Sequence, residues 1–111
     1  MFSFIETKLF SRLRGDFLTE DEYGSVQGAL IDHPEAGALI PGSGGVRKLR
    51  WASPGRGKRG GARIIYYART REGVSWMLTI YAKSETENIP AHVLRKIKEE
   101  IDAEGEAKHR T

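Results

Sequence analysis

ARIIYYARTREGVSWMLTIYAK, residues Ala62–Lys83, is the stretch on which the fold turns. Two runs rich in Ile, Tyr, Val and Trp meet at Glu72-Gly73, the pattern of two strands joined by a tight hairpin. The first runs from Ala62 to Arg71 and the second from Val74 to Lys83. In the second, Val74, Trp76, Leu78, Ile80 and Ala82 face one way; Ser75, Met77, Thr79, Tyr81 and Lys83 face the other. That alternation predicts a sheet with one core face and one wetter face. Immediately upstream, Val46 to Ala52 reads as a further strand, with Leu49 and Trp51 on the same face as Arg47, and Lys48 and Arg50 on the other. Between them Ser53 to Gly61 is a loop holding four glycines.

Outward from this core the pattern turns helical. Phe2 to Ile5 is a short apolar run that suits a first strand. Leu9, Leu13 and Phe17 then recur every four residues, with Phe10 beside them, so one helical face is apolar. Thr19 and Glu22 have the spacing of a capping box, which opens a second helix through Tyr23, Val26, Leu30 and Ile31, ending before Pro34. Pro34 to Gly45 reads as a loop with a small apolar island at Leu39-Ile40. Downstream, Pro90 suits the first turn of a helix whose stripe is Val93, Leu94, Ile97 and Ile101. The expected order is β-α-α-β-β-β-α: an α+β domain over residues 1–104, with a mainly antiparallel sheet covered by helices on one face. Residues 105–111 read as a polar, frayed tail.

Charge is distributed unevenly. Pro41 to Arg71 holds nine Lys or Arg and no Asp or Glu, so it carries +9 in a chain of net charge +3 and leaves −6 on the remainder. A surface of one sign on a small domain is what a phosphate-binding protein presents. The 111 residues suffice for one core. No cysteine is present, so disulfides and cysteine zinc sites are excluded. No apolar run approaches a membrane span, and the N-terminus lacks the pattern of a signal peptide, so a cytoplasmic protein is expected.

The loop glycines Gly55, Gly57 and Gly60 match G-x-G-x-x-G, but a strand follows where a dinucleotide site needs a helix. Lys58 is followed by Arg59 rather than Ser or Thr, so a P-loop fails as well. The loop reads either as a plain hairpin connection or as a basic element closing over a nucleic-acid backbone. The strand cations say more. Lys48, Arg50, Arg63, Tyr67, Tyr81 and Lys83 share the wetter face if registers align, placing cations for phosphates beside rings for bases. His33, His92 and His109 are scattered, so no metal site and no cofactor are expected. The chemistry this composition allows is metal-free RNA cleavage, in which the 2′-OH of the substrate attacks its own phosphate. Arginines clamp the charged transition state. A lysine crowded by like charge gives up its proton more readily, which makes Lys58 and Lys83 the candidates for proton transfer, with Tyr67 or Tyr81 as donor or stacking platform.

The run HPEAGALIPGSGGVRKLRWASPGRGKRGGARIIYYARTREG, followed by LTIYAKSE, resembles the RelE/ParE superfamily of type II toxins, particularly its HigB-like branch. The resemblance spans about residues 20–100. It implies a RelE-like fold and a ribosome-dependent mRNA endonuclease that enters the ribosomal A site. It also implies a cognate antitoxin, commonly a helix-turn-helix protein in this branch. By position, Arg47, Lys48 and Arg50 match the RKLR element, and Lys58 matches the basic loop, with Arg56 and Arg59 beside it. Arg63 opens the next strand at the position implied to contact the scissile phosphate, and Tyr81 and Lys83 match the YAK element. The residues that act as general base and acid stay open. Two other functions compete with RNA cleavage: a ParE-like poison of DNA gyrase, and a non-catalytic RNA-binding module.

Overall fold

The computed structural model describes residues 2–52, 61–83 and 89–109, with side chains as far as residue 103. Ser3–Glu6 forms β1, Ala38–Leu39 β2, Arg47–Trp51 β3, Ala62–Arg69 β4 and Val74–Ala82 β5. Lys8–Phe17 forms α1, Glu20–Asp32 α2 and Ala91–His109 α3. The strands make one sheet in the order β1-β5-β4-β3-β2. β1 pairs with β5 in parallel, and the other described pairs are antiparallel. The fold is therefore α+β with a mainly antiparallel sheet, as expected, plus one addition. Part of the apolar island at Leu39-Ile40 became β2, because Ala38 and Leu39 pair with Lys48 and Arg47 along the edge of β3.

Contrary to the expectation of a single covered face, the helices lie on both faces of the sheet. α1 and α2 pack through Phe10, Phe17, Val26 and Leu30 against Ala62, Ile64, Tyr66, Met77 and Ile80. α3 packs through Leu94 and Ile101 against Ile65 and Leu78, with Tyr67 and Trp76 alongside. The physical reason is legible in β4. Ile64-Ile65-Tyr66-Tyr67 is apolar at both parities, the mark of a strand buried on both sides.

A second correction concerns β5. Ile65 pairs with Thr79 but Tyr66 pairs with Met77, so Leu78 is an extra residue and the strand bulges there. The bulge breaks the expected alternation. Trp76 and Leu78 face α3, whereas Ile80 and Ala82 join the α1–α2 core. The Leu78 carbonyl accepts a hydrogen bond from Thr7 Oγ1 at 2.8 Å, and the same hydroxyl oxygen caps α1 by accepting from the Phe10 N–H at 3.0 Å.

The helix starts follow the sequence closely. The Thr19–Glu22 capping box is present in both directions, at 2.8 and 3.1 Å. The α1 stripe holds at Phe10, Leu13 and Phe17, and only Leu9 departs from it, being 39% exposed. The loop before β2 is pinned by Tyr66: its hydroxyl accepts from the Gly37 N–H and donates to the Pro34 carbonyl, both at 2.9 Å. A Cβ at Gly37 would sit 2.8 Å from the Tyr66 ring, so glycine is required by this close approach.

Candidate functional site

β3, β4 and β5 lie side by side, and their register builds the site. Arg50 is opposite Arg63, and Arg63 is opposite Tyr81, so these three form one row across the sheet. The next row is Lys48, Ile65 and Thr79, about 7 Å away along the strands. Both rows lie on the α3 face, at the end where α3 begins: Leu94, in its first turn, packs with Ile65 and beside Tyr81. Arg50 and Arg63 thus occupy directly opposed positions on one face, and guanidinium groups so placed are suited to binding an anion. Arg50 is exposed, whereas Arg63 is only 9% exposed and is held by its strand.

Tyr81 completes the row. Burial pushes its phenol above the ordinary tyrosine value, and the neighbouring Arg63 charge pulls part of that back. Tyr81 therefore keeps its proton at neutral pH and is able to donate a hydrogen bond. Lys83 lies one residue past β5, exposed, with its backbone N–H donating to the Gly61 carbonyl at 3.2 Å. Gly61 has φ +70°, and a Cβ there would run into the Trp51 carbonyl oxygen. This tight crossing closes the end of the sheet beside the arginine row. Against the second row lies a cleft of ≈230 Å³ lined by Ile40, Lys48, Ile65, Tyr81, Ile89 and Leu94.

Residues 34–108 match the family described as the RelE toxin of the RelE/RelB toxin–antitoxin system. The chain belongs to the RelE toxin family. Its fold is also similar to that of a chain in the crystal structure of the intact E. coli RelBE toxin–antitoxin complex, with a TM-score of 0.54. At 16% identity, over 77% of this chain and 99% of that one, the likeness is one of fold. The matched segment of the RelE-family chain contains β2 through β5 and most of α3, hence every residue of the row and the cleft.

This RelE-family chain does not bring all the sequence candidates together. Lys48, Arg50, Arg63 and Tyr81 are gathered, with Lys83 at their margin. Arg47 is on the opposite face with Leu49 and Trp51, where its guanidinium donates to the Gly37 carbonyl at 2.8 Å and pairs with Glu35 at 3.3 Å. Tyr67 shares the α3 face but lies under the helix, its hydroxyl donating to Asp102 Oδ1 at 2.9 Å. Burial, and then this bond to Asp102, push the Tyr67 phenol up to about 12. Arg56, Lys58 and Arg59 lie outside the described residues. Among the described residues, no three His, Cys, Asp or Glu side chains gather to hold a metal ion, and no helix is long and apolar enough to cross a membrane.

Sequence reasoning missed the cleft walls. Ile40 was legible only as half of an apolar island, and Ile89 only as the residue before Pro90. Neither has a periodic partner in sequence, so nothing but the fold places them against Ile65 and Leu94.

Proposed function

We propose that this RelE-family toxin is a ribosome-dependent mRNA endonuclease. The observation that carries the reading is the row Arg50–Arg63–Tyr81, two guanidinium groups and a protonated phenol on one sheet face. The scissile phosphate lies across Arg50 and Arg63. The adjacent 2′-oxygen attacks phosphorus, the bond from phosphorus to the 5′-oxygen breaks, and the products are a 2′,3′-cyclic phosphate and a 5′-hydroxyl. The arginines bind the non-bridging oxygens as negative charge builds on them. Tyr81 donates a hydrogen bond to the same group. Lys83, at the end of the row, and Lys58, in the basic loop, are assigned the transfer of the 2′-OH proton and the protonation of the leaving 5′-oxygen. No cofactor enters this scheme.

The finer placement in the HigB-like branch rests on the sequence run from His33 to Gly73. With it come a helix-turn-helix antitoxin as partner, the ribosome and its mRNA as targets, and the cytoplasm as location. The likeness to a RelBE complex chain supports an antitoxin partner.

The test is to induce the toxin in cells and map new mRNA 5′ ends with translation running and with it blocked. Codon-phased cuts that vanish without translation are expected. Intact mRNA together with cleaved, stalled DNA would establish the gyrase reading instead. Neither lesion, with RNA bound, would leave an RNA-binding module.

A further inference from the structure

β1 ends the sheet, and no described strand flanks its outer side. Its inward bonds fix which groups face out. The Ser3 N–H donates to the Gly73 carbonyl at 2.7 Å, and the Thr7 N–H to the Met77 carbonyl at 3.1 Å. Alternate residues of a strand bond to the same neighbour, so the N–H and C=O of Phe4 and Glu6 point away from β5. Apolar side chains flank these outward groups on both faces of the sheet. Phe2 and Phe4 lie on the α1–α2 face, each half-buried, with rings 5.4 Å apart. Ile5 is 38% exposed on the α3 face, beside its pairing partner Trp76. Edges that stay single commonly carry a lysine, a proline or a bulge, and β1 holds none of these. Its one charge, Glu6, is already engaged: Tyr23 Oη and Ser11 Oγ donate to it at 2.7 and 2.6 Å, and Arg14 lies 3.7 Å away.

We infer that β1 is a self-association edge, which pairs antiparallel with β1 of a second copy of this chain about a two-fold axis beside Phe4. The N–H and C=O of Phe4 exchange bonds with those of its copy, and Ser3 of each chain faces Ile5 of the other. An occupant of this edge has to be extended and apolar at both parities, because Phe4 and Ile5 present opposite faces. β1 itself has that pattern, and with Glu6 engaged it brings no unpaired charge to the contact. Charge also selects this edge over the other. β2, at the opposite edge, has two residues and borders β3, which carries Arg47, Lys48 and Arg50. Two copies meeting there would set like charges together, whereas β5 and β4 separate β1 from β3. β1 pairs with residues 74–77 of β5, so the contact stops short of Tyr81 and leaves the arginine row of both copies uncovered. A four-residue strand from each copy makes a small interface, so association is reversible and follows concentration.

The experiment uses the full chain, first without substitution. Sedimentation equilibrium over a roughly 100-fold range of concentration should show the mean mass rising from 12.4 kDa toward twice that value. Cysteine pairing then reads the register, and the absence of native cysteine makes it clean. Ser3→Cys and Ile5→Cys both alter exposed side chains. Oxidised together, the two variants should join into a disulfide dimer, since facing residues of an antiparallel pair lie within about 5.5 Å. Oxidised separately, each should cross-link roughly 10-fold more slowly, because its own copy lies two residues out of register and beyond easy disulfide reach. Leu39→Cys, on the β2 edge, should stay uncrosslinked. A mass that holds at 12.4 kDa throughout would overturn the inference. So would a rising mass in which Leu39→Cys cross-links and the mixed pair does not, which would move the contact to β2. A mixed pair no faster than either variant alone would overturn the β1 register. The mass measurement needs no variant, so a poorly folding one would not decide the outcome.

Discussion

At the scale of single residues, Arg63 and Gly61 make the clearest predictions. Arg63 stands between Arg50 and Tyr81, at the centre of the proposed phosphate clamp. Arg63→Ala should abolish growth arrest while circular dichroism stays that of a folded chain; a folded variant that still arrests growth would remove Arg63 from the site. Arg63→Lys keeps the charge but loses the two-pronged geometry, and should restore only part of the activity. Gly61→Ala meets a different constraint. Its φ of +70° alone costs an L-residue about 1–2 kcal/mol, and the Trp51 carbonyl adds to that. The urea midpoint should fall with no change in slope. Charge density marked Arg63 only as one of nine cations in Pro41–Arg71, and the resemblance to the RelE/ParE superfamily set it apart. Strand alternation did not separate Tyr67 from Tyr81, because both sit at the same parity on the face later covered by α3. Which tyrosine lies under the helix and which at its end depends on where α3 lands.

At the scale of elements, the β5 bulge and the seat of α3 matter most. The bulge at Leu78 lets Trp76 face α3 and Ile80 face α1 and α2, while Tyr81 still lines up with Arg63. Thr7 holds the bulge by donating to the Leu78 carbonyl. Thr7→Val keeps the shape but loses this bond and the α1 cap, so stability should drop by about 2 kcal/mol in urea unfolding. Toxicity should fall too, as Tyr81 leaves its register. The other end of α3 is seated by Asp102, which accepts from Tyr67 at 2.9 Å and pairs with Lys98 at 2.8 Å and Arg69 at 3.5 Å. Burial raises the Asp102 carboxyl, but the bonds from Lys98 and Tyr67 outweigh it, and its value falls below the ordinary 3.8. Its contribution is complete above that value and is lost as pH drops through the lower folded one. Tyr67, raised from 10.0 to about 12, works the opposite way: its contribution is complete below pH 10 and is lost as pH climbs toward 12. Asp102→Asn should flatten both limbs of a stability–pH curve measured by thermal melting. Hydrophobic periodicity located these helices and strands, yet the bulge left no mark on it: the alternation of β5 runs unbroken through Leu78 in sequence, and only the pairing with β4 shows the extra residue.

At the scale of the molecule, the described part of the +9 stretch is divided: Lys48, Arg50 and Arg63 share one end of one sheet face, Arg47 lies on the other face with α1 and α2, and Arg69 pairs with Glu72 and Asp102 at the far end of β4. If Lys48, Arg50, Arg63 and Lys83 each neutralise one phosphate, log affinity for single-stranded RNA should fall by about 2.8 per log unit of salt, and Arg50→Ala should lower that slope by about 0.7. Anisotropy titrations at several salt concentrations measure both. The α+β class, the hairpin, the capped second helix and the excess of positive charge were all determined by the sequence itself, because each rests on local chemistry or on simple counting. Two features were decided by tertiary structure alone: the seat of Tyr67 under α3, away from the cationic group, and the cleft beside Lys48. These depend on which residues distant in the chain meet. Strand register and helix docking set those meetings, and no spacing within one segment encodes them.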